Sequence, residues 1–212
     1  MWETLAAPWQ AALAEAWAAY GAGSIPIGAV VTDAAGQVLA YGRNHIEDDD
    51  AAAPTRRNPL AHAELNALLV LPPYNGRDEP AYTLYSTMEP CPLCLGAFYM
   101  SGVRTLRYAA RDPYAGSVNL LGATPYLSRK PIRVFPPEQP ELETLSVGLL
   151  LAHILETSRR DMTGWITTWW EPVVPAGVRL GRRLHAAGRL PQLRAAGVSA
   201  PEMARSLSAE VR

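Results

Sequence analysis

The 212 residues carry 19 Lys and Arg against 20 Asp and Glu, so the net charge of −1 excludes a chain-wide basic field of the kind that gathers polyanions. A chain of this length buries one good core and carries an appendage, rather than two full domains. Although 49% of residues are hydrophobic, no uninterrupted apolar run is long enough for a bilayer, and Met1-Trp2-Glu3-Thr4 opens without a basic stretch followed by an apolar one; the expectation is a soluble cytoplasmic protein with no membrane contact.

Leu5, Trp9, Leu13 and Trp17 recur every four residues among alanines, which predicts an amphipathic helix with its tryptophans in the core. Ile27 to Val31 and Val38 to Tyr41 flank Asp33-Ala34-Ala35-Gly36, the pattern of a hairpin. A polar loop follows from Asn44 to Asn58. Beyond Pro59, Ala61 to Leu71 has the composition of a helix and stops at Pro72-Pro73. Tyr82 to Thr87 reads as a strand, Pro92 to Ser101 as a helix ended by Gly102, and Val103 to Tyr108 as the next strand. Those two strands are too far apart in sequence for a hairpin, so they pair in parallel and the fold class is α/β, with helices packed on a mixed sheet. Ile132 to Phe135 adds an edge strand and Leu142 to Leu155 a long closing helix.

Composition shifts near Thr157. Up to that residue the chain has 10 basic and 16 acidic side chains; beyond it, 9 basic and 4 acidic. The division is a main domain, residues 1–157, and a separate Trp- and Arg-rich, mainly helical extension, residues 158–212. Ser199-Ala200-Pro201-Glu202 has the capping-box spacing that starts a last short helix, with Met203 and Leu207 on one side.

Both cysteines of the chain lie in Glu89-Pro90-Cys91-Pro92-Leu93-Cys94, and a histidine and a carboxylate stand close together in Leu60-Ala61-His62-Ala63-Glu64. His62, Cys91 and Cys94 are suited to three corners of a tetrahedral Zn²⁺ site, one ion per chain, with the fourth corner left for a water or hydroxide as in catalytic zinc sites. Cysteines committed to a metal form no disulfide, in keeping with a reducing compartment. Residues three apart on a helix lie about 60° from eclipsed, so Cys91 and Cys94 reach one ion. Pro90 and Pro92 put the thiols at a helix N-terminus, where free N–H groups favour thiolates.

Glu64, about 200° round an ideal helix from His62, is poorly placed as a second ligand from the same face. Its chemistry is that of a proton carrier from an activated water to a ring nitrogen and a leaving amine, which amounts to hydrolytic deamination of a nucleobase. Pro-Cys-x-x-Cys alone also occurs in structural zinc sites and thiol redox pairs. Structural zinc wants a fourth Cys or His, and His45, His153 and His185 are available only singly.

With these residues the chain resembles the zinc-dependent cytidine deaminase superfamily, whose signature is His-x-Glu followed by Pro-Cys-x-x-Cys. Ile25-Pro26-Ile27-Gly28-Ala29-Val30, Gly42-Arg43-Asn44, the two ligand motifs and Ala110-Arg111-Asp112 occur in the order found in bacterial tRNA adenosine deaminases and guanine deaminases. The resemblance covers about residues 3 to 157. It implies a three-layer α/β/α sandwich on a mixed, mostly parallel five-stranded sheet, and a homodimer. It makes His62, Cys91 and Cys94 the zinc ligands, Glu64 the proton shuttle and Asn44 a contact to the base; Ile27 and Leu60 become apolar walls, and the backbone at Ala63 and Glu89 touches the ring. Asp112 shapes a loop.

The motifs leave the substrate open between a small purine-type base or nucleoside and adenosine in tRNA. Glu47-Asp48-Asp49-Asp50, in the loop between Asn44 and His62, is expected to repel RNA from the mouth and tips the reading toward the small substrate. The extension reads as a lid, as an interface or docked segment, or as a basic arm through Arg179, Arg182 and Arg183; an interface or simple docking is favoured. From a different class, a non-catalytic, zinc-stabilised RNA-binding protein is the alternative.

Overall fold

The computed structural model describes residues 1–49, 55–71 and 79–211. In strand β1 (Gly28–Thr32) every residue is buried because the sheet is covered on both faces: Ala29 and Val31 enter one core and Val30 the other. Strand β2 (Val38–Arg43) returns antiparallel through a turn in which Asp33 Oδ1 accepts the Ala35 and Gln37 N–H groups at 2.9 Å. Strand β3 (Glu79–Ser86) is antiparallel to β1, and β4 (Val103–Tyr108) and β5 (Arg133–Phe135) continue in parallel, giving the order β2-β1-β3-β4-β5. Four strands run one way and β1 the other, a mixed and mostly parallel sheet as expected.

Helices α2 (Ala63–Leu69) and α3 (Pro92–Met100) cover one face, with Ala63, Ala67, Leu95 and Phe98 packed on Ala29, Val31, Leu84 and Leu106. Their seat on the sheet needs a residue without a side chain: a Cβ at Gly42 would stand 2.2 Å from the Ala63 carbonyl oxygen. The expected stop of α2 at Pro72-Pro73 lies outside the described residues. Helices α1 (Ala7–Gly21) and α4 (Pro140–Thr157) cover the opposite face through Trp9, Leu13, Leu142, Leu145 and Leu149. The α1 stripe is broader than a period of four predicts. Ala12, Ala16, Ala19 and Tyr20 are also buried, while Leu5 precedes the helix.

That breadth has its cause in the extension. Helix α5 (Thr163–Trp165) runs into a π-helical turn (Ile166–Trp170), followed by α6 (Pro175–Ala186), α7 (Arg189–Ala195) and α8 (Ala200–Val211). Leu180, Leu184, Leu190, Leu193, Met203 and Leu207 join Trp9, Leu13 and Trp17 in one core, and the Trp17 indole N–H donates to the Val198 carbonyl at 2.6 Å. Burying side chains of this size contributes about 1.5–3 kcal/mol each. Residues Leu142 to His153 of α4 are consequently buried without a break, as in a helix covered on all sides. The change in composition at Thr157 thus marks a change of layer, and the expected separate unit shares the core of α1 and α4. The capping box forms, with Glu202 Oε2 accepting the Ser199 N–H at 2.9 Å.

A third core lies beyond the C-terminal ends of β3 and β4, where Met88 and Ala110 meet Val147, Leu151, Ile166, Trp170 and Val174, with Ile25, Ile27 and Trp165 at its margin. Among the described residues no helix is long and apolar enough to cross a membrane.

Candidate active site

The C-terminal ends of parallel strands are where α/β sheets place ligands, and this end of β3 delivers both cysteines. After Ser86 the chain passes through Met88, Glu89 and Pro90, and Cys91 becomes the N-cap of α3, with Cys94 in its first turn. His62 is the N-cap of α2 and stands in extended conformation, so the helix begins two residues later than Ala61. Asn58 Oδ1 takes the Leu60 N–H and His62 N–H reaches back to the Leu60 carbonyl, which holds this stretch as turns. The ideal-helix angle between His62 and Glu64 therefore does not apply, and both side chains face α3.

His62 Nδ1 and Cys91 Sγ lie 3.6 Å apart, and with Cys94 Sγ the three donor atoms all fall within 4.8 Å of one another. A tetrahedral ion with Zn–N of about 2.0–2.1 Å and Zn–S of about 2.3 Å separates such N and S donors by about 3.6 Å, so the set fits zinc. Among the described residues His45, His153 and His185 stay outside this cluster. Their partners are elsewhere: His45 meets Thr55 and Asp48, and His153 meets Glu47.

Burial and mutual contact set the charges. The Cys94 thiol, and after it His62, pull Cys91 down to about 4, a thiolate at neutral pH. Cys94 is pushed up by the bond to Cys91, by burial and by Glu64. His62 is raised by the Cys91 sulfur. Glu64, 4% exposed, is raised by desolvation; its Oε1 accepts from the Ser86 hydroxyl at 3.1 Å and its Oε2 from the Cys94 thiol at 3.2 Å. Sulfur and imidazole crowded around shared protons form a donor set that a divalent ion satisfies.

Residues 3–110, just over half of the chain, match the family model described as the cytidine and deoxycytidylate deaminase zinc-binding region. The chain belongs to this family. Over 109 residues it is 38% identical to the tRNA-specific adenosine deaminase of Bacillus subtilis, a match covering 50% of this chain and 61% of that protein. It is 35% identical over 122 residues to a tRNA(Ile)-lysidine synthase of Deinococcus deserti, covering 56% of this chain and 20% of the relative. The chain thus spans a fifth to three fifths of the length of these relatives. Its fold superimposes on a guanine deaminase from Nitrosomonas europaea with a TM-score of 0.51 and 28% identity, over 70% of this chain and 85% of that one.

Around the deaminase ligand set the remaining expected residues fall into two groups. Ala63 is fully buried at the start of α2, Ile27 is half-buried between two cores, and Asn44 is 2% exposed just after β2. Leu60 is exposed, at the rim. The Glu89 N–H is spent on the Ala110 carbonyl, while its carboxylate accepts the Asp112 and Val118 N–H groups at 3.3 Å. A Cβ at Gly116 would lie 2.5 Å from the Glu89 carboxyl carbon, so residues 112–118 wrap closely around the approach to Cys91. Asp112 shapes that loop as expected, its Oδ1 accepting from Tyr114 and Ala115.

The loop acids do not stand as a bare negative cluster. Glu47 pairs with His153 at 3.0 Å, Asp48 with Arg43 at 2.7 Å and Asp49 with Arg57 at 2.5 Å; Asp50 lies outside the described residues. Two functional neighbours escape sequence reasoning. Ser86 fixes Glu64, and Ser24 fixes Asn44, across separations of 22 and 20 residues. The position of Ser86, closing a strand just ahead of Pro-Cys-x-x-Cys, is the one available signal for the first.

Proposed function

We propose that the chain is a zinc-dependent aminohydrolase acting on a purine-type base or nucleoside, with residues 1–157 as the catalytic part and 158–212 as its covering layer. The observation that carries this reading is the Glu64 carboxylate, buried 3.2 Å from Cys94 yet outside the cluster of donor atoms that fits an ion. Zinc held by His62, Cys91 and Cys94 supplies the Lewis acidity that makes water nucleophilic near neutral pH. Burial raises the Glu64 carboxyl above its ordinary value, which favours its holding a proton between transfers. It takes a proton from the attacking water and passes it to the ring nitrogen beside the amino-bearing carbon. A further proton goes to the departing amine, which leaves as ammonia while the carbon retains oxygen. The Ser86 hydroxyl holds Oε1 of Glu64 in place throughout. Asn44 meets the base through its amide, Ile27 and Leu60 flank it, and the backbone at Ala63 and Glu89 lines its edge.

The deciding experiment is an ammonia-release screen over free bases, nucleosides, nucleotides and tRNA with the zinc-loaded chain. Release from none of them, with tight salt-sensitive RNA binding, would replace the reading with a non-catalytic RNA-binding role. A second reading, adenosine deamination in tRNA, is favoured by the pairing of Glu47, Asp48 and Asp49 with cations, which removes much of the expected repulsion. We place a homodimer contact at the exposed Leu69, Val70 and Met100, the last residues of or just beyond α2 and α3. Sedimentation of Val70→Glu as a monomer would support it.

A further inference from the structure

Asn44 and Ser24 are both almost wholly buried, and the orientation of the asparagine amide is determined by its neighbours. Its Oδ1 accepts from the Ser24 hydroxyl at 2.8 Å and from the Ile46 N–H at 2.9 Å. A backbone N–H only donates, so the atom facing Ile46 is the oxygen and the two Nδ2 protons point elsewhere. Among the described residues Nδ2 has no partner, although the residue is 2% exposed. The Asn44 N–H is tied to the Ile27 carbonyl at 3.0 Å, which fixes the backbone from which the amide projects.

Ser24 is itself polarised. Its Oγ accepts the Glu47 N–H at 3.1 Å, and its own proton is directed to Asn44. Glu47 is anchored in turn on α4 through His153 Nε2 at 3.0 Å. A string of hydrogen bonds therefore runs from α4 through the loop after β2 and ends on one amide.

We infer that Ser24 is a positioning residue for substrate: it locks Asn44 so that the site presents an N–H donor and no acceptor at that edge, which selects bases carrying a ring nitrogen or carbonyl acceptor there. The inference rests on the reading of Asn44 as a base contact. Loss of the Ser24 hydroxyl leaves Oδ1 held by the Ile46 N–H alone, so the amide is held less firmly and the donor is offered in the right place for less of the time. One neutral hydrogen bond of this kind is worth up to about 1.5 kcal/mol, so the expected rise in KM approaches about tenfold with kcat little changed.

The test uses zinc-loaded wild type, Ser24→Ala, Ser24→Thr, Asn44→Ala and the double variant, with guanine, adenine, adenosine and their 3-deaza and 7-deaza analogues as probes. Ser24→Ala should raise KM, Ser24→Thr should restore it, and Ser24→Ala should add nothing in the Asn44→Ala background. The penalty for one deaza analogue should shrink in Ser24→Ala, an effect that general loosening of the fold does not produce. In parallel, the ¹⁵N-labelled Asn44 side-chain amide should give one sharp signal pair in wild type and Ser24→Thr and a broadened or shifted pair in Ser24→Ala. An unchanged amide signal in folded Ser24→Ala, or a KM equal to wild type while Asn44→Ala is impaired, overturns the inference. An Asn44→Ala variant with unchanged KM, or no turnover of any probe by wild type, overturns the proposed function instead, and the amide signal then decides the role of Ser24.

Discussion

At the ends of β3 and β4 the chain buries sulfur, imidazole and carboxyl, whereas from α6 to α8 it buries little but hydrocarbon. In the first region His62, Glu64, Cys91 and Cys94 hold one another and Ser86 through specific polar contacts, so a single replacement is expected to change the chemistry. In the second, the leucines and Met203 contribute by area, and any one of them is worth a modest share of the whole. The difference teaches that the metal-fitting donor set and the bulk of the apolar burial reside in different side chains here, although both regions pack against α4.

The sharpest way to break that comparison is at a ligand. His62→Ala should lose both zinc and ammonia release, measured as metal per chain and turnover on the same sample; full zinc occupancy in the variant would refute the ligand set. Next comes Glu64→Gln, for which kcat should fall by about 10²–10⁴-fold while zinc remains bound. Full activity in that variant would end the proton-shuttle role. Leu207→Ala tests the other region: the side chain is fully buried on α8 within that hydrocarbon core, so its loss should destabilise by about 2–5 kcal/mol in urea unfolding. Zinc content per folded chain should stay at wild-type level. If Leu207→Ala instead leaves stability intact and removes zinc, the two regions are not separable. Ser199→Ala is milder, about 1 kcal/mol, through the cap of α8.

The same contrast governs what could be read before any coordinates. The ligand set was legible because zinc accepts few residue types and the spacing of Cys91 and Cys94 brings both to one helix turn. The hairpin around Asp33 and the parallel pairing of β3 with β4 followed from turn chemistry and chain length between strands. Ser24 and Ser86 were not legible, since serine is common and each acts on a residue more than a helix turn away in sequence. The pairing of Glu47 with His153, 106 residues apart, was hidden for the same reason, and so the acidic run looked like open charge. Met203 and Leu207, four residues apart, announced an apolar side on the last helix, but nothing in that pattern says which surface it covers. Tyr114, 60% exposed, shows the limit well: its ring meets Trp165 and Trp169 edge-on at 5.2 and 5.6 Å, a contact between a loop and a tail that no local rule foretells.

The smallest expected effect lies on α1, which packs between the sheet and α8. Glu15 is half-buried beside a cavity of about 240 Å³ lined also by Tyr41, Arg43 and Asn66. Burial raises its carboxyl above the ordinary value, and the nearby Arg43 only partly offsets this. A carboxyl raised in the folded state favours the protonated form, so any stability it gives is full below the unfolded value and lost as pH rises through the folded one. At pH 7 the ionised side chain is then a net cost. Glu15→Gln, which keeps the shape without the charge, should unfold at higher urea than wild type at pH 7, and the gap should close by about pH 3, where both side chains are neutral. A gap that persists at low pH would mean that the amide makes a new contact; a reversed gap at pH 7 would mean that attraction to Arg43 outweighs the burial of Glu15.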